Sequence, residues 1–149
     1  MPQVKADLQG PSAKSSAART PAERPLSPHV QVWRWHVTML ASILHRVSGV
    51  GLYFGAFIAA AWALALASGP ETYGRVMGWL AHPLGRLVLL ALTAGFFYHL
   101  ANGVRHLAFD SGHTLNPKVA NMTAIAALVF TVLATAVVWF VAYVTGALR

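Results

Sequence analysis

Residues 47–68 read VSGVGLYFGAFIAAAWALALAS, 22 positions without one formal charge. Crossing the hydrocarbon of a bilayer takes about 20 apolar residues in a helix, so this run is long enough alone. Two more follow. Residues 87–104 form an uncharged run of 18 between Arg86 and Arg105, and residues 119–148 one of 30 between Lys118 and Arg149. Pro70, Pro83 and Pro117 fall in or beside the connections, where helix breaks belong. No period-two alternation competes with this pattern. The expected fold class is an all-α membrane protein with three transmembrane helices, at about 38–68, 83–110 and 118–146.

Composition agrees. Of the 149 residues 56% are hydrophobic and 10% charged, where a soluble domain carries about 25% charged residues. With no cysteine there is neither a disulfide framework nor a thiolate nucleophile or zinc–thiolate cluster. The pI near 10.6 does not signal nucleic acid, because the positive charges form no single stripe. Lys5, Lys14, Arg19, Arg24, Arg34 and Arg46 lie before Val47. Residues 1–24 read as a basic, disordered arm of Ala, Ser and Pro, similar to a mitochondrial targeting segment, and 25–149 as the membrane domain. The first run starts too late and is too long for a cleavable signal peptide. The N-terminal arm and the loop after the second run hold most Lys and Arg, which places the N-terminus on the cytoplasmic or matrix side.

Ionisable or polar groups at membrane depth are functional candidates by default. His99 lies about 16 Å along the helix from Asp110, near mid-bilayer. Gly95 and Gly103 stand at i−4 and i+4 on its helix face. This spacing admits two readings: an open slot for a planar cofactor with the imidazole as axial ligand, or close helix packing with a hydrogen-bonding histidine. At the start of the first helix Ser42, His45 and Arg46 converge on one turn. They suit either the carbonyl head of a lipid-soluble quinone or an interfacial anchor with Arg46 snorkelling toward phosphates. Arg105 and His106 close the second helix on the same side, either beside anionic groups of a cofactor or as cations facing the helix dipole. Gly51, Gly55, Ala59 and Ala63 form a small-residue packing face. Trp62, Trp79, Trp139 and Tyr143 suit interface belts or lipid contacts. No acid pair, Ser/His/Asp set or phosphate loop is present, so hydrolytic chemistry has no residues to run on.

These stretches resemble a known family. The order Arg24-Pro25-Leu26-Ser27-Pro28-His29, then Ser42-Ile43-Leu44-His45-Arg46-Val47-Ser48-Gly49, then His99-xxx-Gly103-Val104-Arg105-His106-Leu107-xx-Asp110 looks like the cytochrome b anchor subunits of succinate dehydrogenase, respiratory complex II. The resemblance runs from about Arg24 into the third helix. It implies that His99 is an axial ligand of haem b, with the second ligand from a partner anchor subunit. It implies further that Ser42 and Arg46 line the ubiquinone site, and that His45, Arg105 and His106 lie on the haem propionate side. The fold implied is half of a haem-bearing helix bundle in a bacterial cytoplasmic or mitochondrial inner membrane. Its companions are an iron–sulfur subunit and, through it, a flavoprotein subunit. On this reading no residue of the chain does dicarboxylate chemistry itself. A non-redox assembly or transport subunit, and the anchor of a fumarate reductase, are the competing functions.

Overall fold

The computed structural model describes residues 34–112 and 116–147. The arm 1–24, the 24–29 motif and His113 lie outside the described residues. Four helices follow in order: α1 Val37–Ala67, α2 Pro70–Ala81, α3 Pro83–Asp110 and α4 Pro117–Val144. Among the described residues there is no strand. Helices α1, α3 and α4 are long and apolar enough to cross a membrane. The chain is thus an all-α membrane protein with three spanning helices. The short helix α2 is an addition to what the sequence suggested.

The prolines explain the segmentation. Each of α2, α3 and α4 has proline in its first turn, where the missing N–H costs nothing and the fixed φ suits a helix. They start helices more than they end them. Between α1 and α2 the chain turns at Gly69, whose φ of 102° is closed to most L side chains. The His82 ring accepts from the Leu84 N–H at 3.3 Å and caps α3; Asn116 Oδ1 accepts from the Lys118 N–H at 2.9 Å and caps α4. The α2–α3 corner is tight: a Cβ at Gly85 would run into the Trp79 carbonyl and the Leu80 backbone.

The three spans pack on one another, α3 antiparallel to both α1 and α4, while α2 rests on α1 and α3. The buried positions are mostly small: Ala41, Ala65, Ala124, Ala127, Thr131 and Thr135. Small residues let helix backbones approach where lipid provides no hydrophobic drive between helices. Several polar side chains find partners inside the bundle. The Thr131 hydroxyl donates to the Ala127 carbonyl at 2.7 Å, and Asn102, 1% exposed, donates to the Tyr98 carbonyl at 3.2 Å. The Tyr98 hydroxyl crosses to the Ala41 carbonyl at 2.9 Å and ties α3 to α1. Long apolar residues such as Phe54, Phe57, Leu64, Val132 and Phe140 point outward, as a surface facing acyl chains or other membrane helices does.

Candidate functional site

The antiparallel register of α1 and α3 brings three histidines together. The His45 ring from α1 stacks on the His99 ring from α3, with centroids 4.1 Å apart and planes 15° from parallel. The His106 ring is tilted against His45 at 5.1 Å. His99 Nδ1 lies 3.2 Å from the His45 carbonyl and 3.3 Å from Ser48 Oγ. The Ser48 hydroxyl already donates to that same carbonyl at 2.9 Å. A carbonyl only accepts, so Nδ1 carries the proton and donates. The lone pair of the neutral imidazole is then on Nε2, the form in which histidine binds a metal.

Two further details mark this spot. Among the described residues His45 Nε2 is buried without a hydrogen-bond partner, a costly state for a ring nitrogen that nothing meets. Gly49 faces the His99 ring so closely that a Cβ would stand 3.0 Å from His99 Cε1. Of the glycines flanking His99, Gly103 looks onto open space and Gly95 only reaches Ser48, at 3.9 Å. The close clearance around His99 is therefore made by α1.

Ser42 and Arg46 sit on α1 one turn apart, Ser42 half-buried and Arg46 exposed. Arg105 points away from the histidines. It is buried against α4, where Nε donates to Thr123 Oγ1 at 3.0 Å and a terminal nitrogen to the Ala120 carbonyl at 3.0 Å. Its guanidinium also lies 4.5 Å from the Phe109 ring centre. The structure thus gathers His45, His99 and His106, keeps Ser42 and Arg46 beside them on α1, and commits Arg105 to helix packing. Ser48 and Gly49 were in the motif read from the sequence, yet their part emerges only once α3 is laid against α1.

The sequence profile of the succinate dehydrogenase/fumarate reductase transmembrane subunits matches residues 20–138. The chain belongs to this family. It is 34% identical to the succinate dehydrogenase cytochrome b556 subunit of Rickettsia felis, covering 78% of this chain and 91% of that one. It is 33% identical to the cytochrome b556 subunit of Paracoccus denitrificans, over 79% and 93% of the two chains. The mitochondrial cytochrome b560 subunit of Bos taurus is also 33% identical, over 85% of this chain and 79% of its own. The three spans are those of a succinate dehydrogenase anchor subunit, an integral membrane part of an enzyme complex. The matched range contains Ser42, His45, Arg46, Ser48, Gly49, His99, Arg105 and His106.

Proposed function

We propose that this anchor ligates haem b through His99 and forms part of the ubiquinone-reduction site of a succinate:quinone oxidoreductase. The observation that carries this reading is the engagement of His99 Nδ1 by the His45 carbonyl and Ser48, which in the tautomer that donates to the carbonyl leaves Nε2 for iron. The donor set fits such a group. Among the described residues no cluster of three or more His, Asp or Glu could cage a bare metal ion. One imidazole suits an iron whose four equatorial ligands come from a porphyrin. The partner anchor subunit would supply the remaining protein ligand. The unmet His45 Nε2 and the exposed His106 would receive the propionates, and Arg105 would support them by fixing the end of α3 against α4. When bound, the haem supplies a one-electron store beside the quinone.

Arg46 donates to a quinone carbonyl oxygen and stabilises the negative charge that develops there; the Ser42 hydroxyl orients the head group. Two electrons from the iron–sulfur subunit and two protons from the adjacent aqueous phase convert quinone to quinol. The flavoprotein lies beyond the iron–sulfur subunit. Charge asymmetry puts this end, with the N-terminus, on the cytoplasmic or matrix side. The names of these relatives favour succinate oxidation over fumarate reduction.

A reduced-minus-oxidised optical spectrum of the purified complex tests the haem assignment. The wild type shows a b-type band, and His99→Leu loses it; an unchanged band removes His99 as ligand. A wild type with no band favours the non-redox assembly reading. Arg46→Leu is expected to leave the complex assembled and able to pass electrons to a soluble dye, with quinone reduction lowered by at least roughly 100-fold, the scale of losing one oriented donor at a developing oxyanion. Normal quinone reduction in that variant would end the role given to Arg46.

A further inference from the structure

At the end of the bundle remote from Arg46, α1, α2 and α3 enclose an apolar groove of about 420 Å³. Its walls include Gly55 and Trp62 of α1, Met77 and Leu80 of α2, and Leu92 of α3; among the described residues the one charged group lining it is Arg86. We propose that this groove is a binding site for one anionic phospholipid, with an acyl chain along α1 and the phosphate at Arg86.

Charge, depth and position each support this occupant. Arg86 is half-buried at the mouth, and its side chain makes no hydrogen bond or ion pair among the described residues. Glu71, the acid at this end of the described residues, is already taken by Arg75 at 2.8 Å on the exposed side of α2. Among the described residues the guanidinium is therefore an uncompensated cation above an apolar floor, a setting that a lipid phosphate completes with two parallel hydrogen bonds. From Arg86 to Leu92 the groove descends about 9 Å and from Trp62 to Gly55 about 10 Å, taken at 1.5 Å per residue. That stays within the roughly 15 Å of hydrocarbon in one leaflet. A phosphate at Arg86 thus leaves its chain in the leaflet where it belongs. Helix α2 forms the outer wall with Met77 and Leu80, while Glu71 and Arg75 face water, the habit of an interfacial amphipathic helix.

The test is native mass spectrometry of the whole complex, delipidated in detergent and supplied with dioleoylphosphatidylglycerol or dioleoylphosphatidylcholine. The wild type is expected to retain one phosphatidylglycerol in preference to phosphatidylcholine. Arg86→Gln should weaken that retention roughly fivefold, the factor matching about 1 kcal/mol per basic residue facing anionic lipid, and Arg86→Lys should restore most of it. Ala59→Phe, which fills the groove without touching the charge, should displace the lipid. Equal retention of both lipids by the wild type would overturn the proposal. So would unaltered retention in Arg86→Gln, or a quinone held in place of the lipid. Quinone reduction should persist in Arg86→Gln, which separates this site from the one at Arg46.

Discussion

Gly49 lacks a side chain where the His99 ring comes closest to α1. A methyl there would sit 3.0 Å from His99 Cε1, tighter than ordinary contact, so the ring must yield by a few tenths of an ångström. Because His45 stacks on the ring and Nδ1 is tethered, yielding is expected to turn Nε2. Gly49→Ala is expected to leave the complex assembled with a displaced b-type band, and Gly49→Val to lower haem content severalfold at similar subunit content. Wild-type spectra from both variants would show that the ring's position does not depend on α1. The sequence made His99 conspicuous, since an imidazole in the middle of an apolar run is rare. It pointed to Gly95 and Gly103 for clearance because those share its helix. The glycine in close contact lies 50 residues earlier, and only the register of α1 against α3 reveals it.

At the level of elements, α3 and α4 are joined by Arg105. Its hydrogen bonds to Thr123 Oγ1 and the Ala120 carbonyl use the planar fork that lysine cannot reproduce. Arg105→Ala should lower stability by about 2 kcal/mol, the scale of hydrogen bonds to a charged group, seen as a lower thermal midpoint of the complex. Arg105→Lys should recover only part of it. A midpoint unchanged in Arg105→Ala would mean that α4 is held by its small-residue contacts alone. For Arg105 the sequence left two readings, a cofactor rim or a helix-end cation, and its contacts to α4 were not legible because neighbours on a helix point about 100° apart. Helix α2 was legible in principle. Pro70 in its first turn with Glu71 behind it, then Tyr73, Val76, Met77 and Leu80 at helical spacing, is a helix signature; a search for long apolar runs passes over it.

For the molecule as a whole, the three spans were readable because continuous apolar runs bounded by charges need no tertiary information. What the runs face was not, since apolar residues turned to lipid and to a partner helix look alike. The charge-based orientation has a direct check. The chain has no cysteine, so single cysteines introduced at exposed positions report without background. Glu71→Cys should react with a membrane-impermeant maleimide added to the outer side of intact cells or spheroplasts, and Lys118→Cys only after permeabilisation. The reverse pattern would invert the topology and with it the side on which quinone meets Arg46.

The stacking of α1 on α3 also bears on how little of such a protein is needed. Every side chain assigned to cofactor or quinone lies between Ser42 and His106, on two helices joined through one short amphipathic helix, while α4 contributes a brace through Thr123 and Ala120. For a designer this separates the parts: the α1–α2–α3 hairpin is the portion to transplant, with its register kept so that Gly49 meets His99. A replacement for the brace has to offer a hydroxyl and a carbonyl to Arg105 and the small buried face of Ala124, Ala127, Thr131 and Thr135.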